Sequence, residues 1–460
     1  MGIGVGRHQI FSKNELTGNL MVATLRTWKW GTTLMKPTDH LQQAMDKIVD
    51  WYTNGDGPFW LAGKAGTGKS SCLRFILDAL GLSEQDYVIC APSNKAVGVL
   101  MSKGFDTAQT VARVAREARV SGSRAGEFRS LSSALQKAKN SGDRQACKEL
   151  LKQLSEIRLS GDVYWTNSAK IGARVKLIIV DEASMLSVRD ARSLAETKSP
   201  VLLVGDRNQL LSVNTSGNKE DDSVVAGKSP QVELTEIIRQ SGNGSIVSAA
   251  EKILEDARYL FHDFPEDEPV RDDLTGESIT RITDPTEHEV DQYLAYSNNQ
   301  CFRHIAQARS HKGSLPEPGD RLLAYSNMGD IVKSQIYGVV ECTDEKNGLV
   351  HLVLTDEAGI IEGNIHTYCP KEVFKKSLSN KERLKLLGNG GTASAPGIDE
   401  INMFYFADCI TVHKSQGGQW NRVGVYLPQS TYYVRIPYDT LRRIKYTAVT
   451  RAKKELFVLT

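Results

Sequence analysis

The chain has 460 residues, 40% of them hydrophobic and 24% charged, with 57 basic against 55 acidic side chains and a net charge of +2. That length exceeds one hydrophobic core and fits two to four domains, and the near-cancelling charge confines any nucleic-acid surface to a local patch. No apolar run is long enough to span a bilayer and the start lacks the order of a signal peptide, so no membrane partner is expected.

Residues 1–36 are rich in glycine and polar residues and read as an extension. From Asp39 the spacing of Leu41, Ala44, Met45, Ile48, Val49 and Tyr52 predicts a helix that stops at Asn54-Gly55. A strand over Phe59–Ala62 feeds a glycine-rich loop and then a helix. Short apolar strands are predicted at Tyr87–Ala91, Leu177–Val180 and Val201–Val204. Helices alternating with fully apolar strands imply a parallel α/β sheet, whose ligands gather at the strands' carboxyl ends.

Between Arg116 and Ala173 the pattern changes. Helical segments at Leu131–Lys139 and Arg144–Ile157 flank Asn140-Ser141-Gly142 and read as a basic helical hairpin, followed by Tyr164-Trp165. A second α/β region starts near Val232, breaks off, and resumes at Phe404. The interruption, 311–400, holds strand-like runs at Arg321–Tyr325, Val339–Cys342 and Leu349–Leu354 and reads as a small β-rich insert. The seven cysteines form no C-x-x-C pair, which argues against zinc and for reduced thiols in a cytoplasm.

Gly63-Lys64-Ala65-Gly66-Thr67-Gly68-Lys69-Ser70, after a strand and before a helix, matches the phosphate-binding loop in the context it requires. Its backbone N–H groups and the helix N-terminus face phosphate oxygens. Lys69 is expected to neutralise the β- and γ-phosphates of ATP, and Ser70 to ligate Mg²⁺. Asp181 and Glu182 end a later strand, placing a second Mg²⁺ ligand and a general base for water beside that loop. Gly205-Asp206-Arg207-Asn208-Gln209-Leu210 ends the third strand, and Gln209 offers an uncharged amide to sense the γ-phosphate.

In this order the motifs resemble superfamily 1B helicases of the RecD/Dda branch, phage Dda-like in compactness. Ala91-Pro92-Ser93-Asn94-Lys95-Ala96 looks like motif Ia, Thr107–Thr110 like Ib, Asp181–Ser184 like II and Gly205–Leu210 like III. Leu234–Gln240 resembles motif IV, Thr411–Gly417 motif V and Tyr446–Ala452 motif VI. The resemblance runs from about residue 38 to the C-terminus. It departs from the family pattern at Ala112 and at Leu211-Ser212, away from the hydrolytic residues.

The resemblance implies an α/β chain of two RecA-like P-loop domains, 37–115 with 174–230 and 231–310 with 401–460. The first carries the 116–173 pin insert and the second the 311–400 SH3-like insert. ATP would bind in the cleft, held by Gly63, Ala65, Gly66, Thr67, Gly68, Lys69, Ser70, Ser71 and Gly417, with Gln42 or Gln43 reading adenine. Arg239 and Arg451 would reach across as arginine fingers. Single-stranded DNA would meet Pro92, Asn94, Lys95, Thr110, Thr411, His413 and Lys414, while Tyr164 or Trp165 would stack on a base at the fork of a duplex. The activity implied is an ATP-dependent DNA helicase, 5′→3′, with single-strand-binding or replisome proteins as further partners. A translocase that strips proteins from single strands, or a non-motor P-loop protein, are the alternatives.

Overall fold

The computed structural model describes residues 28–30, 33–35, 38–64, 66–115, 117–120, 125–141, 146, 149–150, 153, 163–166, 175–212, 217–235, 244–259, 264–273, 275–325, 331–345, 348–357, 363–375, 382, 401–428 and 436–459. The first domain is built on a six-stranded sheet, in the order Val232–Leu234, Phe59–Gly63, Val201–Gly205, Leu177–Val180, Tyr87–Ala91, Gln109–Thr110. Every pairing in it is parallel. Successive side chains of a strand point to opposite faces, and the packing follows that alternation. Leu61, Ile89, Ile179 and Val204 pack with Ile48, Ile76 and Leu100 on one face. Trp60, Cys90, Ile178 and Leu203 pack with Val114, Leu186 and Leu194 on the other. Both faces are covered, which is why these strands read as unbroken apolar runs.

The helix over Asp39–Asn54 has its start fixed by Thr38, whose side chain accepts from the Leu41 N–H. Leu41, Ala44, Met45, Ile48 and Trp51 make its buried stripe. It ends where Gly55 meets Trp51: a Cβ on that glycine would stand 2.5 Å from the Trp51 ring and 2.8 Å from its carbonyl.

A second six-stranded sheet has the order Val270–Arg271, Ser278–Ile282, Ala452–Leu459, Trp420–Tyr426, Gln292–Ala295, Cys409–Thr411. It is parallel except for the Val270–Arg271 edge. Helices Ser245–Glu255, Asn298–Ala308 and Tyr438–Val449 serve this domain. A five-stranded antiparallel sheet runs Ile365–Pro370, Leu349–Asp356, Ile336–Asp344, Arg321–Ala324, Phe404–Phe406. It shares its core with the second domain, since Leu322, Tyr337 and Phe404 pack in one cluster with Ile282, Tyr293 and Phe457.

Three placements differ from the sequence reading. Val232–Leu234 lies in the first sheet, because Val232 pairs with Leu61, although its neighbours in sequence suggest the second domain. Phe404–Phe406 completes the small antiparallel sheet by pairing with Arg321–Ala324. In the first insert, Glu117–Val120 pairs antiparallel with Val163–Thr166, and the intervening helix Ala125–Ser141 runs through the expected Asn140-Ser141 turn. The β-branched and aromatic run Val163-Tyr164-Trp165-Thr166 suits a strand. The expected segment Arg144–Ile157 lies mostly outside the described residues. Among the described residues no helix is long and apolar enough to cross a membrane, and Cys72, Cys90, Cys301, Cys342, Cys369 and Cys409 are free thiols.

Ile179 is fully buried at the centre of the first sheet. Ile179→Ala is expected to destabilise the first domain by about 2–5 kcal/mol, read as a lower denaturant midpoint.

Candidate nucleotide site and nucleic-acid interface

The phosphate loop joins strand Phe59–Gly63 to helix Lys69–Ala79. Gly66 and Gly68 sit at φ +85° and +73°, a backbone region that side chains disfavour. Gly68 caps the helix without a side chain, so the first-turn N–H groups have no acceptor from the cap residue. Lys69 Nζ folds back over the loop and donates to the Gly63 and Lys64 carbonyls at 2.6 and 2.8 Å. The buried Thr67 hydroxyl donates to the Lys64 carbonyl at 2.9 Å. Gly63 must lack a side chain, since a Cβ there would stand 2.6 Å from Thr67 Oγ1. Lys64 pairs with Glu251 of the second domain at 2.7 Å. Ala65 and the side chains of Ser70 and Ser71 lie outside the described residues.

Strand Leu177–Val180 delivers the acid pair. Asp181 Oδ1 accepts from the Glu182 N–H at 2.9 Å. Glu182 occupies the left-handed region, φ 53° and ψ 41°, which costs a non-glycine residue energy and marks it as held by its surroundings. Burial and the neighbouring Asp181 carboxylate push the Glu182 carboxyl up, while Arg451 and Lys69 pull it down. Residues from the loop, the acid pair and the second domain therefore share one electrostatic neighbourhood.

Strand Val201–Gly205 ends at Asp206, whose Oδ1 accepts from the Asn208 N–H at 2.9 Å and shapes the turn that carries Gln209. Gln209 is buried, and its Oε1 has no hydrogen-bond partner among the described residues. The second domain closes on this turn. Tyr446 donates its hydroxyl proton to Asp206 Oδ2 at 2.8 Å, and Thr447 Oγ1 accepts from the Leu210 N–H at 3.0 Å. Gln416 Nε2 donates to the Leu210 carbonyl at 2.8 Å. Arg451 is 2% exposed and donates to the carbonyls of Thr447 and Gly418 at 3.0 and 3.1 Å. Burial pulls its pKa down, against the opposing pull of Glu182 and Asp206.

Other expected site residues are spread more widely. Arg239 lies outside the described residues. Gln43 is exposed on helix Asp39–Asn54, and Gln42 donates to Asp46 on the same helix at 2.9 Å. Gly417, expected at the nucleotide, packs against the helix Asn94–Ser102: a Cβ on it would stand 3.0 Å from Ala96 backbone. In the sequence Asp206 and Tyr446 have no role beyond membership of their motifs, and Arg443 is not singled out. Their available signal was the spacing of 443, 446, 447 and 451, which brings one helix face and the residue beyond its end to the same neighbour.

Of the expected track residues, Pro92, Thr110 and Thr411 stand at or just after the ends of parallel strands. Thr110 accepts from the Arg113 N–H at 3.4 Å and Thr411 is buried. Asn94 Nδ2 donates to the Lys333 carbonyl beside the small sheet at 3.4 Å. His413 is held below its ordinary pKa by burial, and Lys414 lies 5.3 Å from the Tyr405 ring centroid. Tyr164 and Trp165 sit on the paired strand, but their side chains lie outside the described residues.

Lys95 departs from the expected phosphate contact. Its ammonium is shut away from water 4.1 Å from the Trp420 ring centroid, without a hydrogen-bond acceptor among the described residues. Ring and cation attract, but burial, with Arg451 and Arg321 adding to it, lowers its pKa to about 7.

Residues 42–264 match the family model described as AAA domain, and residues 406–459 that of the UvrD-like helicase C-terminal domain. The first match takes in the whole of the first parallel sheet, and the second lies on the second sheet. The second of these matches is to a helicase module and covers the C-terminal strands of the second sheet. Solved structures similar to it include Pif1 helicase from Candida albicans, at 15% identity and TM-score 0.48, covering 93% of this chain and 94% of that one. Bacteroides Pif1 bound to single-stranded DNA is similar at 13% identity and TM-score 0.48, with 92% of each chain covered.

The Lys95 environment sets a pH dependence. Burial lowers the folded-state pKa of Lys95 to about 7, whereas an unfolded lysine keeps its proton to about pH 10. Stability contributed here therefore rises as pH climbs through that window, and the buried charge costs most below it. Lys95→Met is expected to raise the melting temperature at about pH 6, the gain shrinking toward about pH 9; thermal melts across pH read it.

Proposed function

We propose that this chain is an ATP-driven DNA helicase that moves 5′→3′ along single-stranded DNA and opens duplex ahead of it. The observation that carries the ATPase part is convergence. Lys69, Asp181 and Glu182 follow strands of the first sheet, and both Lys69 and the second domain's Arg451 act on the Glu182 carboxyl. The Gln209 turn is held by Arg443 of the helix that leads to Arg451. In this reading Lys69 leaves its two carbonyl partners to meet the β- and γ-phosphates of ATP. Glu182, held high by burial, accepts the proton of the attacking water. Gln209 orients that water, and Arg451 and Arg239 stabilise the charge that develops on the transferred phosphoryl group. Asp181 and the Ser70 hydroxyl would hold Mg²⁺, which supplies charge neutralisation at the phosphates when bound. The oxygen chemistry of this donor pair suits a hard cation.

The track runs over the carboxyl ends of both sheets, through Pro92, Asn94, Thr110, His413 and Lys414. The paired strands Glu117–Val120 and Val163–Thr166 support a wedge, with Tyr164 or Trp165 stacking on the exposed base at about 1–3 kcal/mol per base. The 5′→3′ direction and the RecD/Dda affinity rest on the motif resemblance.

Lys69→Ala is expected to abolish turnover, while Glu182→Gln binds ATP and hydrolyses it at least about a hundredfold more slowly. Steady-state ATPase with and without single-stranded DNA checks both; a Glu182→Gln enzyme of normal rate removes that residue from the base role. Tailed duplexes test direction: a 5′ overhang should support unwinding and a 3′ overhang should not. Replacing Tyr164 and Trp165 by Ala should leave DNA-stimulated ATPase largely intact and depress strand separation. Parallel loss of both activities together with thermal stability would instead assign these aromatics to packing.

A further inference from the structure

We propose that Tyr446 is a positioning residue for hydrolysis, joining the Asp206 turn of the first domain to Arg451 of the second; this rests on the roles given above to Gln209 and Arg451. Tyr446 and Asp206 are 2% and 1% exposed, and the 2.8 Å hydrogen bond between them crosses from one domain to the other. A phenol donating to a buried carboxylate is charge-assisted and stronger than a bond between neutral groups.

Asp206 spends its two oxygens on two tasks. Oδ2 takes the Tyr446 proton, and Oδ1 takes the Asn208 N–H within the turn that holds Gln209. The helix Tyr438–Val449 grips the same turn from its neighbouring positions. Arg443 Nη1 donates to the Arg207 and Gln209 carbonyls at 2.5 and 2.9 Å, and Thr447 accepts from Leu210. Arg451 follows this helix and donates back to the Thr447 carbonyl at 3.0 Å. A rotation of the helix that releases Tyr446 therefore also swings Arg451, and it frees the Gln209 turn at once. Tyr446 itself makes none of the contacts assigned to the nucleotide. Its contribution belongs to the closed, reacting arrangement rather than to nucleotide affinity.

The test uses the full chain, with DNA-stimulated ATPase, equilibrium binding of a fluorescent ATP analogue and a thermal melt on each variant. Tyr446→Phe removes only the hydroxyl. Its kcat is expected to fall about tenfold, the equivalent of one such hydrogen bond, with analogue affinity changed less than about twofold. Asp206→Asn keeps an acceptor oxygen and should retain more turnover than Asp206→Ala. The double variant Tyr446→Phe with Asp206→Ala should turn over no more slowly than Asp206→Ala alone, since both act through one contact. A Tyr446→Phe enzyme of wild-type kcat overturns the inference. So does a proportional loss of kcat, affinity and melting temperature, which marks simple packing. If wild type is stimulated by DNA and Arg451→Ala is inactive while Tyr446→Phe is normal, the positioning role alone falls. A wild-type chain with no DNA-stimulated turnover overturns both this role and the function it rests on.

Discussion

Charge taken out of water has to be answered by other charge, and the seam between the two parallel sheets is organised by that requirement. Asp181 and Asp206 are buried, and burial raises the carboxyl of Glu182. Arg451, equally withdrawn from solvent, donates to the Thr447 and Gly418 carbonyls and the Thr450 hydroxyl, and answers Glu182 and Asp206 through the field. An isolated ion in such a place is costly, whereas opposed ions across a narrow gap offset one another. Separating the domains would leave each side's charges facing solvent or each other's absence. The close approach of the two sheets is thus an electrostatic condition as much as a packing one.

The rest of the architecture keeps that gap narrow and aligned. Parallel strands bring their loops to one edge, so a phosphate loop, an acid pair and an amide turn from three neighbouring strands meet without long connections. The second domain is stiffened by its fusion with the small antiparallel sheet, whose Tyr337 and Phe404 share a core with Tyr293 and Phe457. A domain that carries Arg451 and the contacts to the Asp206 turn benefits from such bracing, because close-packed interiors move as bodies rather than deform.

What could be seen in the sequence followed from how local the cause was. The helix Asp39–Asn54 and the strands Tyr87–Ala91 and Leu177–Val180 were legible to the residue, since capping and apolar spacing act within a few positions. The loop and acid pair were legible as motifs, but the fold of Lys69 onto two carbonyls was not. Non-local pairing defeated the reading at Val232–Leu234 and Phe404–Phe406, where strand partners lie far away in sequence. The same holds for Tyr446, whose partner precedes it by 240 positions. Lys95 shows a further limit: a lysine in a track motif reads as a phosphate contact until Trp420 is found over it.

That lysine also makes the seam a proton-exchanging surface. Burial over Trp420 lowers the pKa of Lys95 to about 7, well below that of a lysine in water. Exposing this ammonium group raises its pKa toward the ordinary lysine value, so parting of the domains at this point favours proton uptake and closure favours release. Heat measured for any opening or closing of this seam will consequently contain a contribution from the ionisation enthalpy of the buffer.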